Sequence, residues 1–231
     1  MNPEIKSHES LSLFSQVAQA VSIWVISYFG YYLFLPALGI DSSYSGSPIE
    51  ISLYYLFWCF IAVFAFWDIY KDWETPRSRK GAYMAIIVGN IVVILYLFYI
   101  LPLFPITAPN KSWLPPSELL SATSWYFLPK SMEIFLQQLL LVAIILSFHY
   151  KNFSLKTIFG WCAVLFGGTH LLLAFRGGFV YASIFTVVAV VSSFVFPYLI
   201  LKVKNGFIYS YFIHWSFYAI VIFLTRVIFR L

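Results

Sequence analysis

An all-α bundle of about seven membrane-spanning helices is the fold this sequence predicts, and three observations carry that reading. Of the 231 residues, 61% are hydrophobic and only 10% are charged, so the chain lacks the polar groups to cover a water-facing globule. Apolar runs of about 20 residues, the length that crosses a bilayer, recur along it. Aromatic residues make up 22%, and Tyr and Trp gather where a bilayer meets water. The net charge of +5 is scattered between apolar runs and forms no continuous basic face. That pattern argues against a nucleic-acid partner and leaves the lipid bilayer as the surroundings.

In chain order, residues 10–40 contain no Asp, Glu, Lys or Arg and give a first span, broken near Pro36. Residues 41–48 are a turn-rich loop. A second span covers about 51–70, and the charged stretch 71–80 is aqueous. The third span runs from about 82 to 101, where Pro102, Pro105 and Pro109 stop regular helix. Residues 105–129, with Trp113, Pro115, Pro116 and Trp125, read as a loop or short helix at the interface. Their segment 119–128 is open to joining the fourth span. Spans four to seven cover about 130–150, 155–175, 179–201 and 207–229. Residues 1–231 form a single integral-membrane domain, with no internal repeat.

Lys and Arg set the orientation. One side receives nine, at 6, 71, 77, 79, 80, 151, 156, 202 and 204. The other receives five, at 111, 130, 176, 226 and 230. A multi-pass protein with a cytoplasmic N-terminus and an outside C-terminus is expected. Cys59 and Cys162 lie inside apolar runs without metal-type spacing and read as buried, inert thiols.

Ionisable and amide groups inside apolar runs are the candidates for chemistry, because they are costly there. Glu133 starts the fourth span as a candidate for chemistry, with an interface carboxylate paired to neighbouring Lys130 as the alternative. Gln137 shares its face one turn on, whereas Gln138 is rotated away. His170 follows Phe166 by one turn and Gly167–Gly168 directly, where missing side chains let another group approach. His214 lies deep in the seventh span, with Tyr211 and Tyr218 at helical spacing as hydrogen-bond candidates. Asn90 reads as a bond between helices. If Glu133, His170 and His214 converge, they can activate a water as general bases or as ligands of a divalent metal such as zinc.

Phe166-Gly-Gly-Thr-His170, between the Glu133 helix and the later His214 helix, resembles the CAAX-protease and bacteriocin-processing (CPBP, or Abi) family of intramembrane proteases. That family has Glu-Glu-x-x-x-Arg, then Phe-x-x-x-His, then His-x-x-x-Asn or Asp, and the resemblance spans about 129–218. It implies an endopeptidase that cleaves a membrane-associated peptide or a prenylated protein tail. Glu133 and His170 would activate water, and His214 would support the oxyanion. Two departures stand out. Either register of Glu133 loses one carboxylate, to Met132 or Ile134, and puts Gln137 or Gln138 where Arg belongs. Tyr218 stands where Asn is expected, with a hydroxyl that can donate in its place. The departures leave an active, divergent enzyme and a relative without proteolysis both open. A membrane scaffold or carrier is the alternative, and a haem protein with His170 and His214 as axial ligands is a third reading.

Overall fold

A backbone surrounded by hydrocarbon must satisfy its own hydrogen bonds, and a helix does so within one segment. The computed structural model describes residues 12–73, 78–104, 106 and 117–228. Among them are seven helical stretches long and apolar enough to cross a membrane, and no strand. The first two spans are α1 (Leu13–Ala37) and α2 (Pro48–Ala65), followed by the short α3 (Trp67–Lys71). The third, α4 (Arg79–Leu95), continues through a π turn at Tyr96–Ile100 and a 3₁₀ turn at Leu101–Leu103. A four-residue helix, α5 (Ser117–Leu120), precedes the fourth span, α6 (Phe127–Tyr150), which a 3₁₀ turn at Ser124–Tyr126 leads into.

The fifth span is wound unevenly: α7 (Leu155–Cys162), a π turn (Ala163–Gly167), α8 (Gly168–His170) and a 3₁₀ turn (Leu171–Leu173). The sixth belongs to α9 (Ala174–Lys202) and the seventh is α10 (Gly206–Ile228). Val190 of the sixth span sits against Gly167 of the fifth, where a Cβ would come within 2.6 Å of it, so the bare backbone there is used for close helix packing.

The helix α6 is the axis of the bundle. In its most apolar window 78% of residues are buried, against 11% to 33% in the other spans. The helices α1, α2 and α10 pack directly on it. The third span is the most lipid-facing; its Gly89 receives the ring of Phe212 from α10, which a side chain there would displace.

Three details depart from the sequence reading. The fourth span begins earlier, at 124, while 117–120 form a separate helix rather than an extension. The third span begins at Arg79 because Ser78 caps it, its hydroxyl accepting the Gly81 N–H at 3.1 Å. Asn90 is exposed and donates to Ile86 O of its own helix at 2.8 Å, so it makes no bond between helices. Arg226 lies inside α10 and is 3% exposed. Trp113, Pro115 and Pro116, and the charges at 6, 77, 111 and 230, lie outside the described residues. Cys59 and Cys162 are buried and free.

The turn into α10 leaves no room for a side chain at Gly206, where a Cβ would run into the carbonyl of Leu199. Backbone cannot yield as a side chain does. Gly206→Ala is therefore expected to cost about 1–3 kcal/mol, read as a lower melting midpoint of detergent-solubilised protein. Gly160→Ala, which meets nothing within 4 Å, is the control.

Candidate functional site

Helical spacing places Lys130, Glu133 and Gln137 on one stripe of α6, and all three face a cavity of about 470 Å³. Lys130 Nζ and Glu133 Oε2 form a 2.5 Å ion pair, with side chains 9% and 15% exposed. The Tyr44 hydroxyl donates to the same oxygen at 2.7 Å, and Gln137 Nε2 donates to Oε1 at 3.0 Å. The Lys130 ammonium also lies over the ring faces of Tyr218, Tyr44 and Tyr126, at 4.2, 5.0 and 5.8 Å from their centroids. The expected pairing of Glu133 with Lys130 is thus present, and further protein groups surround it. Gln137 is 7% exposed, and its Oε1 has no hydrogen-bond partner.

A second carboxyl enters the same cavity from α5. Glu118 Oε1 is 3.0 Å from the Tyr31 hydroxyl, which also hydrogen bonds the carbonyl of Ser42. The backbone N–H of Tyr44 is a further donor to Glu118. Burial pushes the Glu118 carboxyl above the usual carboxylate range, and the charge of Glu133 adds to this. The Tyr31 hydroxyl and the charge of Lys130 pull the other way without cancelling it.

His170 also lines this cavity and lies within electrostatic reach of Glu133 and Lys130. Its Nδ1 is 2.7 Å from Phe166 O, one turn back. A carbonyl only accepts, so Nδ1 carries the proton and Nε2 of the neutral ring keeps its lone pair. The Phe166 ring meets both imidazoles edge-on, at 4.7 Å from His170 and 6.0 Å from His214. That contact gives the one-turn spacing of Phe166 and His170 a packing role as well.

His214 faces a second, mostly apolar cavity of about 690 Å³ between α9 and α10. Its Nδ1 meets Gln138 Nε2 at 3.1 Å, while Gln138 Oε1 accepts from Ser210 at 2.9 Å. With the amide so oriented, Nδ1 accepts and Nε2–H is the free donor. Gln138 is rotated from Glu133 as its spacing requires, and it satisfies the histidine that Tyr211 and Tyr218 were expected to satisfy. Tyr211 instead points at Ser131 O, 3.4 Å away. Tyr218 stacks one ring on His214 at 5.7 Å and offers it to Lys130, acting through its ring rather than as an Asn-like donor.

The structure therefore brings Glu133 and His170 to one cavity and sets His214 behind Tyr218, in the next. His170 and Tyr218 line both. A metal site made of Glu133, His170 and His214 does not fit: His214 faces the other cavity, and its Nδ1 is engaged by Gln138. Among the described residues no three His, Cys, Asp or Glu side chains group to hold a metal ion. Glu118 escaped the sequence reading, although it is the one charge between Lys111 and Lys130. Comparison of the chain with protein-family models, with curated proteins and with solved structures returned no match.

Proposed function

We propose that this integral membrane protein is an intramembrane endopeptidase of the CAAX-protease and bacteriocin-processing kind, acting on a membrane-associated peptide through Glu133 and His170. The observation that carries the reading is the meeting of these two side chains, from successive spans, in one polar cavity. Glu133 Oε1, held by Gln137, retains a lone pair for a water proton. His170 Nε2 offers a second acceptor for the same water. The water oxygen attacks the scissile carbonyl as its proton passes to Glu133.

The missing Arg has a substitute. Lys130, one turn before Glu133 instead of one turn after, supplies the positive charge that pairs with the carboxylate and orients it. With the N-terminus cytoplasmic, the cavity opens outward beneath the 41–48 loop and α5. The adjoining apolar cavity at His214 accommodates the hydrophobic part of a substrate.

The test is cleavage of a library of single-span and prenylated peptides by protein in lipid nanodiscs, with new termini read by mass spectrometry. Wild type is expected to give products, His170→Ala to reduce the rate about a hundred- to ten-thousandfold with melting behaviour retained, and Glu133→Gln, which leaves Lys130 unpaired, to lose cleavage together with stability. Equal cleavage by both variants would sink the reading, and so would a silent wild type. A scaffold or carrier would be silent throughout.

A further inference from the structure

Asn90 carries a carboxamide into hydrocarbon. It stands near the middle of the third span (Arg79–Leu103), about 16–20 Å from either end. That span is the least buried of the seven, and Asn90 itself is exposed. Its Nδ2 donates to Ile86 O of its own helix, and its Oδ1 accepts no hydrogen bond among the described residues. A lipid acyl chain has no donor to offer, so the oxygen and the second N–H lack the partners that an amide out of water needs. Another protein surface can supply them. The neighbours of Asn90 give that surface its shape. Tyr83, Ile87 and Ile94 are 67%, 55% and 52% exposed. With Asn90 they follow spacings of four, three and four residues, the seam along which two helices pack side by side. The seam lies to one side of Gly89, whose face the Phe212 ring of α10 already fills.

We propose that the third span is a self-association face, on which a second copy of this chain docks by pairing Asn90 of one copy with Asn90 of the other. Two copies inserted with the same topology form a closed pair only about a two-fold axis along the membrane normal. That axis brings the two third spans together in parallel and sets every residue at the depth of its counterpart. Asn90 then meets Asn90, and a carboxamide is its own complement: each donates an N–H and accepts at Oδ1. A polar residue at one position of an apolar seam also fixes the register of the pair. An unlike partner would have to carry a donor and an acceptor at this same depth, whereas a second copy supplies both by symmetry. The association requires nothing of Glu133 or His170 and stands apart from the peptidase reading.

The test reconstitutes the fluorescently labelled full chain in phosphatidylcholine vesicles over a range of protein-to-lipid ratios and counts copies per particle by single-molecule photobleaching. Wild type is expected to pass from one copy to two as density rises. Asn90→Leu leaves the exposed face apolar and the fold intact, and should raise the dissociation constant about tenfold. Asn90→Gln, which keeps the carboxamide, should retain most of the association. Cross-linking reads the face itself. Ile94→Cys is expected to give a disulfide-linked dimer on mild oxidation, whereas Val88→Cys, 50% exposed on another side of the helix, should not. The native Cys59 and Cys162 are buried. A wild type that stays monomeric at every density overturns the proposal. So does a dimer that Asn90→Leu leaves unchanged, or one that Ile94→Cys fails to link.

Discussion

Replacing Lys130 by methionine is expected to destabilise the protein by about 3–5 kcal/mol, the cost of leaving a buried charge without its partner. Methionine keeps the apolar stem of lysine, so the change isolates the ammonium. That ammonium is the cation paired with Glu133 among the described residues, and the same group sits over three tyrosine rings. Without it Glu133 loses its paired cation and the contact that orients it. Peptide cleavage is therefore expected to fall with stability. The double variant Lys130→Met with Glu133→Gln separates the two effects. It should regain much of the lost stability, because no unpaired charge remains, while cleavage stays absent. Equilibrium unfolding in mixed micelles measures the first and the peptide assay the second. A double variant no more stable than Lys130→Met would show that the ion pair is not the source of the loss.

Arg226→Met is the second large effect. The Arg226 guanidinium reaches Leu101 O at 2.9 Å, Phe104 O at 2.5 Å and also the carbonyl of Ala122. The first two end the third span, where carbonyls lack partners and the helix dipole favours a cation. Ala122 lies between α5 and α6, so one side chain ties the last helix to the segment that carries Glu118. Hydrogen bonds to a charged group contribute about 1.5–3 kcal/mol each, and they share one donor group, so a total loss of about 3 kcal/mol or more is expected. Amide exchange over 117–126 should rise more than over the centre of α6. Arg226→Lys should recover only part, since an ammonium is a point donor and lacks the planar fork. Equal exchange in the Met variant and wild type would remove Arg226 from this role.

How much of this was legible in the sequence differs by level. The spans could be read because each is a contiguous apolar run, and lipid acts on such runs directly. The special place of α6 could not, because a helix buried by other helices is as apolar as one buried by lipid. Lys130, Glu133 and Gln137 were legible as one face, since spacing along one helix fixes it. The partner of His214 was not: Gln138 is 76 residues away, and two nearer tyrosines offered themselves. Glu118 was hidden for the same reason. Its neighbour Tyr31 is 87 residues distant, and only the folding-in of α5 unites them.

The π turn at Ala163–Gly167 makes the fifth span a matter of phase. The buried positions there are Ile158, Cys162, Gly167 and His170, with steps of four, five and three residues. The step of five falls on the π turn, which holds one residue more than an α-helical turn would. Each residue of an α-helix turns the chain by about 100°, so this surplus residue is what aims the imidazole between the two cavities. Removing one residue from 163–165 would preserve the Phe166–His170 spacing and still swing His170 away from Glu133. Reading frame along the helix, and not only the identity of the side chain, is therefore part of the site.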